Sequence, residues 1–189
     1  MEAFLLSTGI VALAEMGDKT QLLSLLLAAR FRRPLPIILG IFVATLLNHA
    51  LAGALGALLS DWLGPDVLRW ILAISFLAMA VWVMVPDKLD DVDVKPAAAG
   101  VFGVTTAAFF LAEMGDKTQI ATVALAAKFD AFGAVVIGTT LGMMIANVPA
   151  VLLGDRVTRM VSMKVVHGVA AVLFALLGVA TLFNVGGMF

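Results

Sequence analysis

The sequence predicts an all-α, polytopic membrane protein with six transmembrane helices arranged as two inverted three-helix repeats. The chain of 189 residues is 62% hydrophobic and only 13% charged, whereas soluble domains are near half apolar and a quarter charged. Its apolar runs approach or exceed the ~20 residues that cross a bilayer as a helix, and they lack the alternation of transmembrane β-strands. The sequence also repeats itself at an offset of 98 residues.

Charge and cysteine content exclude several classes of protein. Twelve Lys and Arg against 13 Asp and Glu give a net charge of −1, so a basic nucleic-acid-binding face is excluded. The chain has no cysteine, which excludes disulfides, zinc–thiolate sites and iron–sulfur sites. The bilayer is therefore the expected partner, and nucleic acid is not.

Six apolar runs give the predicted spans, near 3–29, 36–59, 67–85, 99–127, 133–153 and 165–185. Polar breaks at 30–34, 60–66, 86–96, 128–130 and 154–159 separate them. The N-terminal run carries Glu2 and no basic segment before it, so it is interpreted as the first membrane helix rather than a removed signal peptide. Pro149 is expected to kink the fifth span.

Basic residues predict the orientation, because cytoplasmic loops carry an excess of Lys and Arg. One side of the membrane holds the loops that join spans 1 and 2, spans 3 and 4, and spans 5 and 6. The basic residues of these loops are Arg30, Arg32, Arg33, Lys88, Lys95, Arg156, Arg159 and Lys164. The opposite side holds only Arg69 and Lys128. This asymmetry places the three basic loops in the cytoplasm and both termini outside.

The internal repeat predicts how the chain is organised. Residues 13–31 match residues 111–129 at 13 of 19 positions, and the same offset aligns Gly40 with Gly138 and Phe76 with Phe174. A unit of three helices is odd, so the second copy enters the membrane from the opposite side, as in many secondary transporters. We expect a first repeat over 1–85, an acidic cytoplasmic linker over 86–98 and a second repeat over 99–189.

Each copy buries the segment Glu-Met-Gly-Asp-Lys-Thr-Gln in its first span. Glu15 lies 14 residues after Met1 and 15 before Arg30, which is ~20 Å from either end of a helix. Charged groups at this depth cost ~2.5–3.5 kcal/mol each and are functional candidates for that reason. The most similar stretch of the repeat is thus its most polar, which favours transport over a duplication kept for folding alone.

Four motif carboxylates form a predicted metal site between the repeats. In each copy the two acids are three residues apart and would share a helix face, and the intervening glycine permits close approach or unwinding. Such hard oxygen ligands suit Mn²⁺, Ca²⁺ or Mg²⁺, and the absence of cysteine argues against Cu⁺ and Zn²⁺. The predicted ligands are Glu15, Asp18, Glu113 and Asp116.

Charge balance favours a divalent ion that is exchanged for protons. Two acids and one lysine leave −1 per motif, hence −2 for the pair, if Lys19 and Lys117 face the site. When the ion leaves, buried unpaired carboxylates are expected to take up protons, so metal binding would displace protons.

Weaker signals surround the motifs. Supporting roles are assigned to Lys19, Lys117, Thr20, Thr118, Gln21, Gln119, Asn48 and Asn147. The glutamine amides are candidate ligands, whereas the threonines equally fit hydrogen bonds to helix carbonyls. Asn48 is expected to face Asn147 across the repeat, His49 is interpreted as structural more than ligating, and His167 as interfacial.

The doubled motif resembles the hallmark Glu-x-Gly-Asp-(Lys/Arg)-(Thr/Ser) of the Gdt/MneA family of small membrane transporters over essentially the full length. The resemblance implies divalent cation transport without a prosthetic group. Bacterial members export manganese, and Golgi and chloroplast members exchange Mn²⁺ or Ca²⁺ for protons. It maps the family's acidic residues onto Glu15, Asp18, Glu113 and Asp116. It also implies a bacterial cytoplasmic membrane and a transporter rather than an enzyme.

Three alternatives accompany this hypothesis. A Ca²⁺/H⁺ exchanger would use the same oxygens. An intramembrane lipid-pyrophosphate phosphatase would need Arg or Lys clamps, for which only the motif lysines are at hand. A passive channel usually builds its pore from several subunits. A homodimer is left open, since Gly53 with Gly56 and Gly138 with Gly142 suit packing within one protomer or between two.

Overall fold

The computed structural model describes residues 1–85, 100–154 and 162–185, and the regular secondary structure of these residues is helical throughout. The described helices are α1 (Glu2–Glu15), α2 (Lys19–Phe31), α3 (Pro34–Trp62), α4 (Pro65–Trp82), α5 (Gly100–Glu113), α6 (Lys117–Phe129), α7 (Phe132–Leu153) and α8 (Met163–Leu182).

Four of these helices, α3, α4, α7 and α8, are long and apolar enough to cross a membrane, and α5 is a shorter apolar helix. They account for the second, third, fifth and sixth predicted spans. The all-helical prediction for a polytopic membrane chain is thus confirmed in its coarse form. Pro149 lies inside α7, which continues through it to Leu153.

The first and fourth predicted spans are not single helices. α1 ends at Glu15 and α2 begins at Lys19, and the same interruption separates α5 from α6. The expectation that the two acids of a motif share one helix face was therefore wrong. The backbone turns at Gly17 and Gly115, with φ of +83° and +75°, a conformation that glycine adopts without steric cost.

The helix boundaries follow the sequence repeat. α1 and α5 begin and end 98 residues apart, as do α2 and α6, and the starts of α3 and α7 and of α4 and α8 keep the same offset. Identical motifs thus interrupt the two copies at equivalent positions. The second copy reproduces the local structure of the first.

Packing interleaves the two halves of the chain. α1 packs chiefly against α7, α5 against α3, and α4 against α8. Phe76 and Phe174, which are equivalent in the repeat, are both fully buried in one core cluster. A second cluster around Leu23, Ile37 and Phe109 joins α2, α3 and α5. Each half therefore completes its core with the other.

Several sequence expectations fall on residues outside the described ranges. These are the linker 86–98 with Lys88 and Lys95, and the loop that holds Arg156 and Arg159. Lys128, which we counted as a basic residue outside the spans, lies inside α6. It is 8% exposed, and its Nζ donates to Thr181 Oγ1 at 3.0 Å.

Small residues bring helices of opposite halves together within one protomer. A methyl group on Gly142 would lie 2.6 Å from the Thr8 carbonyl oxygen of α1. A methyl group on Gly138 would lie 2.7 Å from the Phe4 carbonyl oxygen. Gly53 and Gly56 likewise face side chain and backbone of α7 and α6. These glycines pack inside the protomer, so they carry no argument for the homodimer, which stays a prediction.

We expect Gly142→Ala to destabilise the fold, because the added methyl group forces α7 away from α1. Overpacking of this kind costs about 1–3 kcal/mol, so the melting temperature in detergent should fall by several degrees. Gly133→Ala in the same helix is the control. A methyl group there meets no described residue within 4 Å, and the melting temperature of this control variant should be unchanged or slightly raised. Equal melting temperatures for the two variants would contradict this packing.

Candidate metal centre

The two helix interruptions build the site. Asp18 and Asp116 occupy the N-cap positions of α2 and α6 in extended conformation. Glu15 and Glu113 are the last residues of α1 and α5. Each interruption therefore brings one carboxylate from a helix C-terminus next to another at a helix N-terminus.

Glutamine side chains satisfy the backbone at both breaks. The Gly17 N–H donates to Gln21 Oε1 at 2.9 Å, and the Gly115 N–H donates to Gln119 Oε1 at 2.7 Å. Backbone groups at membrane depth need such partners because no water replaces them. Both amide oxygens, which we considered as metal ligands, accept a backbone hydrogen bond here.

Three carboxylates from both halves of the chain converge. One oxygen each from Glu15, Glu113 and Asp116 lies within 4.8 Å of the others, and all three residues are buried. Glu15 Oε1, Glu113 Oε1 and Asp116 Oδ2 have no hydrogen-bond partner among the described residues. Buried acceptors without partners are costly, so the cluster has the character of a cation-binding site.

Threonines hold the opposite oxygens of the glutamates. Thr20 Oγ1 donates to Glu15 Oε2 at 2.6 Å, and Thr118 Oγ1 donates to Glu113 Oε2 at 3.1 Å. Both alternatives for these threonines assumed other partners, namely the ion or a helix carbonyl. In the structure each threonine instead donates to the glutamate of its own motif, which leaves the other glutamate oxygen without a hydrogen-bond partner among the described residues.

The motif lysines cross between the repeats. Lys19 Nζ lies 2.7 Å from Asp116 Oδ1, and Lys117 Nζ lies 3.0 Å from Asp18 Oδ1. The second pair is almost fully buried, with side-chain exposures of 2% and 1%, whereas the Lys19 side chain is 25% exposed. Each lysine thus neutralises the aspartate of the other motif. By formal charge count, −2 is then left on Glu15 and Glu113, the two motif acids outside these ion pairs.

The remaining polar residues connect helices next to the site. Gln21 Nε2 donates to the Ala146 carbonyl at 2.9 Å, and Ser24 Oγ donates to Asn147 Oδ1 at 2.8 Å. Asn48 Nδ2 donates to the Phe110 carbonyl at 3.1 Å, one turn before Glu113. Among the described residues no hydrogen bond joins Asn48 to Asn147, and the expectation that they face each other across the repeat stays a prediction.

Two features were missed by sequence reasoning. His167 was interpreted as interfacial, yet its Nε2 lies 2.6 Å from the Met16 carbonyl oxygen in the first motif. Thr45 is fully buried one turn before His49 on α3, and neither its hydroxyl nor the His49 ring nitrogens have a hydrogen-bond partner in the described ranges. Neither feature has a signal in the sequence, because each depends on the groups that the fold places around these residues.

The three carboxylates lie close enough together for one cation to bind them all. Their oxygens lie within 4.8 Å of one another, and oxygen ligands of this kind suit hard cations such as Mn²⁺, Ca²⁺ and Mg²⁺. Bound there, the ion would contact both halves of the chain at once.

Comparison with known proteins gives the family context. The chain matches the family model described as "Divalent cation/proton antiporter GDT1" over residues 3–91 and 101–188. One matched range falls in each half of the chain. No solved structure matches the chain at a significant level.

Curated relatives match along nearly the whole chain. A Vibrio cholerae protein named "Putative manganese exporter" is 52% identical over 184 residues, which cover 97% of this chain and 92% of that protein. A GDT1-like protein from Synechocystis is 28% identical over 96% of this chain and 97% of its own length. GDT1-like protein 3 of Oryza sativa subsp. indica is 29% identical over 96% of this chain and 74% of its own length.

We expect Lys117→Met to be more destabilising than Lys19→Met. Removing one partner of a buried ion pair leaves an uncompensated charge and costs about 3–5 kcal/mol, and the Lys117–Asp18 pair is the more buried of the two. Thermal unfolding in detergent measures the difference. The double variant Lys117→Met/Asp18→Asn should regain most of the lost stability. Failure of the double variant to recover, or equal losses for the two lysines, would argue against the crossed pairs.

Proposed function

The chain belongs to the GDT1 family of divalent cation/proton antiporters, and from this premise we propose that it exports Mn²⁺ across a bacterial cytoplasmic membrane in exchange for protons. The identity of the ion is supported by the 52% identical Vibrio cholerae protein named for manganese export. Because the family is one of transporters, the prediction that the chain is not an enzyme is confirmed. This leaves no role for the phosphatase alternative.

The observation that supports the ion site is the convergence of Glu15, Glu113 and Asp116 within 4.8 Å. We assign these three as the ligands in the state shown. Asp18 joins them when the ion replaces Lys117 as its counter-charge. The C-terminal ends of α1 and α5 carry partial negative charge, and both end at a glutamate of the site, which favours a cation further.

The antiport step follows from the charge left on the glutamates. With the aspartates paired to lysines, Glu15 and Glu113 are the acids without a cationic partner in the crossed arrangement. A divalent ion neutralises both. Protons replace the ion when it leaves, since two neighbouring buried carboxylates are costly to keep charged. Binding of ion and of protons is thereby mutually exclusive.

For the membrane arrangement we propose six spans in two inverted repeats. The first repeat comprises residues 1–85, the linker 86–98 lies in the cytoplasm, and residues 99–189 form the second repeat. In this arrangement the pairs α1–α2 and α5–α6 each cross the bilayer as one interrupted span. Interrupted helices that meet near the midplane are typical of secondary transporters. The basic residues then place both termini outside.

Flux measurements test the site. We expect Glu15→Gln and Glu113→Gln to reduce ⁵⁴Mn²⁺ uptake into inverted vesicles by about tenfold or more, because each variant removes a charged ligand and half of the neutralising charge. Glu2→Gln is the matched control. Glu2 lies at the opposite end of α1 and is exposed, so its flux should equal that of the wild type.

Asp116→Asn separates ligation from pairing in the same assay. It should lower flux as well, since the residue is both a ligand in the cluster and the partner of Lys19. Unchanged flux in both glutamine variants, with equal amounts of folded protein, would contradict the site assignment without contradicting the proposed transport of Mn²⁺.

Coupling and selectivity form a separate prediction. We expect flux of ⁵⁴Mn²⁺ into inverted vesicles to rise when the vesicle lumen is made acidic, because luminal protons drive the return step, and to collapse with a protonophore. An excess of Ca²⁺ should compete more strongly than an excess of Mg²⁺, because Mg²⁺ dehydrates reluctantly and demands near-ideal octahedral geometry. Mn²⁺ flux indifferent to the pH gradient would rule out proton exchange. Inhibition by Mg²⁺ as strong as that by Ca²⁺ would contradict the predicted order of the two ions.

A further inference from the structure

The two motifs are identical from Glu to Gln, yet their surroundings differ. At the first interruption, α8 lies against the backbone. The Met163 side chain is so close that a methyl group on Gly17 would lie 2.8 Å from its Sδ. His167 lies one turn further along α8, with its Nε2 2.6 Å from the Met16 carbonyl oxygen. A carbonyl oxygen only accepts, so Nε2 carries the proton and donates it.

The second interruption is more open. In the part of the chain that the structure describes, nothing lies within 4 Å of a methyl group placed on Gly115, and Met114 is 58% exposed. The repeat offset makes Pro65 and Arg69 of α4 the equivalents of Met163 and His167. Arg69 lies 3.6 Å from Asp66 on its own helix instead. Of these two equivalents, Arg69 therefore contacts its own helix and Pro65 is exposed.

The asymmetry extends to whole helices. α8 packs against α1, and α4 packs against α6. In the repeat, the equivalents of these contacts are α4 against α5 and α8 against α2. The described residues show no comparable packing for either pair. The repeat would allow two arrangements of the α4–α8 pair, one with contacts to α6 and α1 and one with contacts to α5 and α2. The structure shows the first.

The bilayer restricts what the backbone of the second interruption can face. Non-helical backbone at membrane depth is tolerated only where it is buried in protein or lines a water-filled cavity. The first interruption is partly covered by α8, with Met16 and Gly17 half-buried, whereas Met114 and Gly115 of the second interruption are exposed. We infer that the second interruption lines the aqueous route to the carboxylate cluster.

We propose that the first turns of α8 and α4 are alternating gates, with Met163 and His167 sealing the first motif in this state and Pro65 and Arg69 sealing the second motif in the other. This inference rests on the proposed transport function and adds the residues that close the site on each side. The Arg69 guanidinium donates to the Met114 carbonyl in the second state, as His167 donates to the Met16 carbonyl in the first.

The gate residues also fix the side to which each state opens. With the orientation proposed above, α8 begins at the cytoplasmic side and α4 at the outside. His167 then closes the cytoplasmic route, and the open second motif faces outside. In the opposite state, Arg69 closes the outer route and His167 leaves the first motif. Cytoplasmic ions then reach the carboxylates.

Single cysteines test the gates directly, because the chain has none of its own. Met16→Cys and Met114→Cys are labelled with a membrane-impermeant maleimide, from outside in spheroplasts and from the cytoplasmic side in inverted vesicles. In the otherwise unchanged protein, we expect Cys at 114 to react from outside and Cys at 16 to be protected from the cytoplasmic side. Adding His167→Ala should accelerate labelling at 16 by about tenfold, the effect of losing one buried hydrogen bond, and slow labelling at 114.

The reciprocal change is what distinguishes a gate from a local hole. Faster labelling at 16 with unchanged labelling at 114 would overturn the proposal, as would protection of 114 from outside. His167→Gln keeps a donor for the Met16 carbonyl and should restore the original pattern. Arg69→Ala should have the opposite effect, with labelling at 114 faster and labelling at 16 slower still.

Labelling needs no ion flux, so its result is independent of the proposed function. Reciprocal labelling with no ⁵⁴Mn²⁺ transport would leave the gates standing and reject manganese as the cargo. Normal transport with labelling that is not reciprocal would reject the gates alone.

Discussion

Two crossed ion pairs hold the centre of this protein together. Lys19 lies against Asp116 and Lys117 against Asp18, so the aspartate of each motif pairs with the lysine of the other. Charges buried at membrane depth are tolerated only when paired, which makes each repeat depend on the other. The pairing also removes the aspartates from the charge balance. Two glutamates remain, and their charge matches one divalent cation.

The helix interruptions make this crossing geometrically feasible. In a continuous helix, Glu15 and Asp18 would project from one face into the same space. The positive φ of Gly17 instead ends α1 at the glutamate and restarts α2 at the aspartate, so the two carboxylates take separate partners. Gln21 compensates the exposed backbone through the Gly17 N–H. One seven-residue motif thus supplies a proposed ion ligand, the lysine that pairs with the aspartate of the other motif, the glycine at the turn and the glutamine that accepts the glycine N–H.

Much of this fold was accessible from the sequence, because bilayer thickness and the apolar runs fix where the helices lie. The predicted run 133–153 coincides with α7 to within one residue. The helix break was foreseen only as one option for Gly17, since a glycine in an apolar run serves equally for close packing. The crossed lysines had no local signal at all. Their partners lie about a hundred residues away in sequence, and only the interleaving of α1 with α7 and α5 with α3 brings them together.

Identical motifs in unequal surroundings are what a two-state transporter requires. If both interruptions were covered alike, the carboxylates would be sealed from both sides; if both were open, the chain would conduct passively. Here His167 contacts the first motif's backbone, while the second motif's Gly115 has no neighbour among the described residues on the side where a Cβ would project. The repeats share their helix boundaries, so each motif can take up the environment of the other by replacing contacts with equivalent ones. The free-energy cost of this change is therefore small. The near-symmetry of the sequence therefore keeps two states close in free energy, and the cargo ion and protons need only shift the balance between them.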